Sequence, residues 1–408
     1  MANTIITPSM IAKEALMQLK NNLVMGSLVY RGYEPEFANQ PNGYKVGQTV
    51  KIRKPVKYSV RSGATMSVQD TTMGETSITV DQLKGVDLQF SVQELTLSIS
   101  KFSELHLAPA MTKLAQDVDQ ALMGLYSSVA SWVGTPGQTI DSYGDFLKGT
   151  TRLNDLAVPM SQRMGVLTPN DRAGLLSSFP SLFVERVGEA ALTEGRMPAL
   201  DGIDMRMSQT IKRHTVGAYG GTAVTSQAAT TYDATRINYF QDVSITAASN
   251  NITNWARAGD IVTFSSVNAV NPETGEDLGY LREFVVVSDA NSDGGGAVTL
   301  RVTPPIITSG PYKTCTAAPS SSNVVQKGTA STVYPQNMLF HKNAFALAVV
   351  PLEPLQGIQG VEQMSADGIS ITLTPAADPV NYVQRWRLDI LYGVKAVYPE
   401  LATRLSGT

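Results

Sequence analysis

The longest stretch that keeps a single apolar period runs from about His106 to Val133. Leu107, Met111, Leu114, Val118, Leu122, Leu125, Val129 and Val133 advance by three or four residues at a time, which keeps them on one stripe of an α-helix. The spacing predicts one amphipathic helix, roughly 36–40 Å long at 1.5 Å per residue. Pro109 fits its first turn, where a missing N–H is harmless, and Gly134-Thr135-Pro136-Gly137 forbids continuation. Ahead of it, Ile11, Ala15, Leu19 and Leu23 predict a shorter amphipathic arm within Pro8–Leu28, with Thr7 or Ser9 as its cap. Such an arm packs either on its own domain or on a neighbour.

Between these helices the period falls to two. Val50, Ile52, Val56, Tyr58 and Val60 share one face, and Lys51, Arg53, Lys57 and Arg61 the other. With Lys45 and Lys54, six basic side chains fall within seventeen residues, and no acidic residue lies between Glu36 and Asp70. After the turn-rich Ser62–Gly74, Thr76–Val92 alternates again through Ile78, Val80, Val86, Leu88, Phe90 and Val92, flanked by Asp70, Glu75, Asp81, Asp87 and Glu94. The pattern predicts a long two-stranded hairpin with one basic and one acidic arm. An isolated hairpin is marginal in water, so this one needs cover. Its charges solvate an exposed face or pair across the hairpin, and the acidic arm argues against phosphate binding by the basic one.

Beyond Val133, Gly137–Asp155 is loop-rich. Gly165–Leu176, "GVLTPNDRAGLL", predicts a buried strand ending in a Thr-Pro-Asn-Asp helix start. A helix is expected over Ser181–Leu192, then Gly195-Arg-Met-Pro and a strand near Ile203–Ser208. From Val216 to Gln336 the chain turns rich in Gly, Thr, Ser, Ala and Asn, without a helical stripe. Short β-like runs recur at Asp242–Ala247, Asp260–Val267, Leu281–Ser288 and Ala297–Val302, separated by turn clusters such as Asn271-Pro-Glu-Thr-Gly and Asn291-Ser-Asp-Gly-Gly-Gly. These predict a small barrel or sandwich inserted in a loop of the host domain. Met338–Val350, Gly368–Leu373 and Tyr382–Val397 read as closing strands.

Composition narrows the classes. The 408 residues suffice for two or three domains; 43% are hydrophobic and only 16% charged, so much of the surface is neutral. A net charge of −3 gives no global attraction to nucleic acid. The single Cys315 excludes an intramolecular disulfide framework or a cysteine zinc cluster. No leader-like segment or membrane-length apolar run is present, which predicts a soluble chain, neither secreted nor anchored. Chemistry-bearing motifs are missing: no Gly-Lys dipeptide for a phosphate loop, no Gly-x-Ser-x-Gly, no Gly-x-Gly-x-x-Gly. His106, His214 and His341 stand more than a hundred residues apart, Gly294–Gly296 reads as a turn, and Asp117 and Asp119 diverge on a helix.

The order of parts carries more information than any motif. An N-terminal arm, a long two-stranded loop, a spine helix, an α/β domain and closing strands resemble the layout of tailed-phage major capsid proteins with the Hong Kong ninety-seven fold. The all-β stretch enters after "PALDGIDMRMSQTIKRHT" (Pro198–Thr215) and leaves before "NMLFHKNAFALAVVPL" (Asn337–Leu352). It resembles the insertion domain of the P-twenty-two coat protein family, as do "VKIRKPVKYSVRSGA" (Val50–Ala64) and "RLDILYGVKAVYPELA" (Arg387–Ala402).

The resemblance implies an α+β fold of that type. Its parts would be an N-terminal arm (1–43), extended loop and peripheral strands (44–98), spine helix (99–135), axial and peripheral α/β domain (136–215), inserted β domain (216–336) and a return to the axial and peripheral domain (337–408). It implies a major capsid protein, assembled in the host cytoplasm into an icosahedral shell around packaged double-stranded DNA, with no catalytic, cofactor or metal site. The implied partners are copies of itself in hexamers and pentamers, a scaffolding protein, a portal, and DNA touched non-specifically at the inner surface; no membrane is implied. In such shells the extended loop lies over the peripheral domain of an adjacent subunit, which sets Arg53, Lys54, Lys57 and Arg61 against acidic groups of a neighbour. Some relatives seal the shell with a lysine–asparagine cross-link; this sequence offers no constellation for it, so closure is expected to be non-covalent. A second reading is a carbohydrate- or host-binding surface protein using the β insertion. A third is a hydrolase in which one of the three histidines meets an acid and a nucleophile.

Overall fold

The computed structural model describes residues 8–38, 47–66, 68–69, 71–91, 103–178, 199–231, 239–352, 358, 360–366, 368–378 and 383–408. The expected helix over Ser181–Leu192, the turn at Gly195–Pro198, and Thr7, Lys45, Asp70, Val92 and Glu94 lie outside these. The chain divides into two compact units.

The first unit comprises Met1–Ile52, Ser77–Met123 and Phe345–Lys395. Helix Pro8–Asn22 buries Ile11, Ala15 and Leu19 against helix Ala108–Met123, whose Met111, Leu114, Val118 and Leu122 face inward. A short helix, Met25–Leu28, follows a break at Val24. The carboxylate of Asp119 holds that break, accepting the N–H groups of Val24 at 2.8 Å and Gly26 at 2.9 Å. The unit's sheet is built on strand Val383–Ala396, which pairs antiparallel with Ile369–Asp378 on one side and Gln82–Ser91 on the other. Leu388 and Ile390 bury beside Ile371 and Leu373.

The second unit comprises Arg53–Thr76, Gly124–Ala344 and Ala396–Thr408. It contains a five-stranded sheet in the order Trp132–Val133, Ala402–Leu405, Asn337–His341, Arg163–Leu167 and Ile203–Met207. Phe146 and Leu153 of helix Tyr143–Asp155 pack with Leu339, Leu405, Leu167 and Ile203. A closed barrel follows, in the order Ile261–Val270, Asp277–Val286, Val298–Thr303, Gln241–Ala248, Gly221–Thr225 and Ser322–Gln326. Alternate residues point inward, as in Val298, Leu300 and Val302, and the Phe264 and Phe284 rings lie 5.2 Å apart in the core. Strands Arg213–Thr215 and Val333–Pro335 pair where the chain enters and leaves this part.

Four expectations need correction. The long helix stops at Met123: a π-turn, Ser103–Leu107, precedes it, and a 3₁₀ turn, Gly124–Ser128, follows. Gly124 weakens helix continuation, and Val129 and Val133 keep the apolar period because a turn and a strand bury them. The long hairpin is divided. Only Gln48–Lys54 and Gly74–Val80 pair with each other; Pro55 has no N–H for the ladder, so Val56, Tyr58 and Val60 lie beyond the strand. The acidic half, Gln82–Ser91, pairs with Val383–Tyr392 of its own chain, which supplies the cover expected from a neighbour. Within the supposed loop Gly137–Asp155 lies helix Tyr143–Asp155, capped by the Ser142 hydroxyl accepting the Asp145 N–H at 3.1 Å. Met338–Val350 is not one strand: Lys342–Ala344 turns between Asn337–His341 and Phe345–Val350, which join different sheets.

Candidate functional site

The basic residues singled out in the sequence do not form one patch. Arg53 is exposed near the end of its strand, and the Lys54 ammonium sits 5.0 Å from the centre of the Tyr398 ring. Lys57 is exposed, and its backbone N–H donates to the Tyr312 hydroxyl at 2.8 Å, tying the chain to a barrel loop. Arg61 folds over its own turn, donating to the carbonyls of Gly63 and Thr65. Between these points runs a ribbon with little protein around it. Tyr58 is 59% exposed, Val60 100%, Met66 79%, Val68 84% and Met73 53%. Scattered exposed apolar residues are ordinary; here five fall on one segment. A cleft of about 990 Å³ opens beside the ribbon's base, lined in part by Lys57, Tyr58, Tyr280, Tyr312 and Tyr398.

The second concentration of polar groups joins the barrel to the five-stranded sheet within the second unit. Glu283 of the barrel is buried and accepts from three donors: the Trp132 N–H at 2.9 Å, Arg152 at 2.9 Å and Lys327 at 2.7 Å. Lys327 also donates to the Trp132 carbonyl, and the Arg152 guanidinium stacks 3.8 Å from the Tyr280 ring centre. Arg404, fully buried, donates to the Gly259 carbonyl at 2.8 Å and to Gln336 at 3.2 Å. Its guanidinium lies against the Tyr126 and Trp132 rings. Burial pushes its pKa down to about 10, opposed by Tyr126, Asp260 and Glu283, and it stays charged at neutral pH.

The three histidines have different surroundings. His214 is buried with Nε2 at 2.7 Å from Asp260 and Nδ1 at 3.0 Å from the Tyr126 hydroxyl. Nε2 thus faces the carboxylate and Nδ1 the phenol, one polar partner for each ring nitrogen. Asp260 also accepts the N–H groups of Gly217 and Arg257, which makes it a backbone-holding group. His341 lies buried in a strand, its pKa lowered by burial and by nearby Arg163. His106 sits in the π-turn. Asp117 and Asp119 do diverge: Asp117 accepts the Tyr392 hydroxyl, while Asp119 caps the Met25–Leu28 helix. The Gly294–Gly296 run is a turn closed by Asp293 accepting from Gly295 and Ala297. Cys315 is buried, and burial raises its thiol pKa. Among the described residues, no group of three or more His, Cys, Asp or Glu is placed to hold a metal ion, and no helix is long and apolar enough to cross a membrane.

Sequence reasoning missed Glu283, Lys327, Arg152 and Arg404, because partners so far apart in the chain leave no periodic trace. Among the described residues, the geometry presents an exposed apolar segment at Tyr58–Met73 and a buried polar joint around Glu283 and Arg404. The profile of the P22 coat protein family (P22 coat protein, gene protein 5) matches residues 1–407, and the chain belongs to that family. A major capsid protein of Acyrthosiphon pisum secondary endosymbiont phage 1 is 22% identical over 339 residues, 79% of each chain. Among solved structures, one from Mycobacterium phage Che8 aligns with a TM-score of 0.48 and 14% identity, covering 95% of this chain and 92% of the other. The bacteriophage PhiM1 mature capsid gives 0.38 and 12%, covering 89% and 82%. The work of this chain is that of a phage major capsid protein: copies of it build the shell that encloses the genome.

Proposed function

We propose that copies join through the ribbon Lys54–Met73, which docks on an adjacent subunit, and that the shell closes without covalent cross-links or catalysis. The observation that carries this reading is the uncovered row Tyr58, Val60, Met66, Val68 and Met73. Burying such side chains is worth about 1.5–3 kcal/mol each when complete, far more than exposed ion pairs at about 0–1 kcal/mol. Arg53, Lys54, Lys57 and Arg61 therefore set register against acidic groups of the neighbour, while the apolar row supplies affinity.

In this reading the chain has the Hong Kong ninety-seven arrangement. Residues 1–43 are the arm and 44–98 contain the extended loop; Ala108–Met123 is the helical part of the spine, and 216–336 form an inserted β domain whose stem is the Arg213–Thr215 and Val333–Pro335 pair. Hexamers and pentamers of this chain, a scaffolding protein, a portal and non-specific DNA contact at the inner surface belong to this reading, with assembly in the host cytoplasm. Arg53→Glu combined with Lys57→Glu is expected to impair shell formation in sedimentation and negative-stain microscopy while the subunit's circular dichroism is unchanged. Normal particles from the double variant would remove the charge assignment.

A further inference from the structure

Within the ribbon, one side chain takes the place of a missing strand. The Gln69 carboxamide meets the backbone of Ser59 from both sides: Oε1 accepts the Ser59 N–H at 2.8 Å and Nε2 donates to the Ser59 carbonyl at 2.6 Å. The Ser59 hydroxyl adds a third bond to Oε1 at 3.2 Å. This is the reciprocal donor and acceptor pattern that a paired residue would offer in an antiparallel ladder, supplied here past Pro55, where the ladder has ended. The clasp brackets the tip that Arg61 closes over Gly63 and Thr65. The ribbon's base is tied down by Tyr312 holding the Lys57 N–H and by Tyr398 beneath Lys54. Tyr58 and Val60, on either side of Ser59, are thereby fixed outward.

We infer that Gln69 is a positioning residue for assembly: it holds the ribbon in its docking shape before a second copy of the chain arrives. The inference rests on the ribbon-docking reading above. Its logic is preorganisation: a segment already ordered loses less conformational freedom on binding. Gln69 itself need not touch the neighbour, and its loss is felt in assembly and not in subunit folding.

The test compares the full-length parent with Gln69→Ala, Gln69→Glu and the double variant Tyr58→Ser, Val60→Ser, under conditions where the parent forms shells. Two readouts are taken, the concentration of unassembled subunit at equilibrium and the rate of trypsin cleavage after Arg61 in the unassembled subunit. Gln69→Ala is expected to raise the free-subunit concentration roughly tenfold, the effect of about two net hydrogen bonds of modest strength. It should also speed cleavage after Arg61 and leave the subunit's melting midpoint in place. Gln69→Glu keeps the acceptor for the Ser59 N–H but sets a carboxylate oxygen against the Ser59 carbonyl where Nε2 donated, so it should assemble no better than Gln69→Ala. Parental assembly by Gln69→Ala alongside defective assembly by the double variant overturns the clasp and leaves ribbon docking standing. Parental assembly by both removes ribbon docking and the clasp with it. A melting midpoint that falls in step with assembly makes Gln69 a folding residue and also overturns the proposal.

Discussion

Glu283 offers the sharpest energetic test of the joint between barrel and sheet. Glu283→Gln preserves shape and one acceptor for the Trp132 N–H, yet removes the charge between Arg152 at 2.9 Å and Lys327 at 2.7 Å. Breaking a buried ion pair by neutralising one partner costs about 3–5 kcal/mol. Arg152 and Lys327 are 17% and 22% exposed, so water recovers part of that, leaving roughly 2–3 kcal/mol. For a folded unit of this size each kcal/mol moves the midpoint by about 2–4 °C, so a drop of roughly 5–10 °C is expected in calorimetry of the unassembled subunit. Because Glu283 is shielded, the drop should persist at high salt, unlike a surface pair. A cycle with Lys327→Met sharpens the assignment: Glu283→Gln should cost less in that background than in the parent. A midpoint within about 2 °C of the parent, under one kcal/mol, would refute the view that this acceptor holds the joint.

Two further expectations concern the separate units. In the first, burial pushes Glu34 up to about 7 and Asp119 up to about 6. Both folded-state values lie above the unfolded ones, so the folded state binds the extra protons. The stabilisation is complete below about pH 4 and is lost as pH rises through about 6 to 7; urea midpoints should climb from pH about 8 to about 5, and Glu34→Gln should flatten the climb, whereas a flat parental profile would discount both carboxyls. In the second, a fragment spanning Arg213–Pro335 keeps its paired stem and the Lys327–Glu283 contact, so it should give dispersed heteronuclear NMR spectra; an unfolded spectrum would make the barrel dependent on Trp132 and Arg152.

The barrel strands are legible in the sequence because their alternation is local, as in Val298, Leu300 and Val302. The central helix is legible in kind and not in length, since Val129 and Val133 are buried without being helical and a period cannot tell the two apart. Helix Tyr143–Asp155 carries a readable signal, Ser142 three residues before Asp145, but Gly144, Gly149, Thr150 and Thr151 disguise it as loop. The long hairpin is misread for a non-local reason: strand Gln82–Ser91 alternates suitably for either partner, and only the three-dimensional competition gives it to Val383–Tyr392. The four basic residues are visible as a charged run, yet nothing in their spacing foretells that Gln69 braces the segment or that Tyr312 and Tyr398 tether it.

The strand Ala402–Leu405 lies between Trp132–Val133 and Asn337–His341, and it carries Arg404 into the interior among Tyr126, Trp132 and Gly259. A ribosome delivers these segments in sequence, so the barrel has all its strands once Gln326 has emerged, while the neighbouring sheet still waits for two inner strands, Asn337–His341 and Ala402–Leu405. Closure of this sheet is thereby tied to the passage of its last strand, Ala402–Leu405, through the exit tunnel. A stall between those two points would leave a closed barrel on an unfinished base.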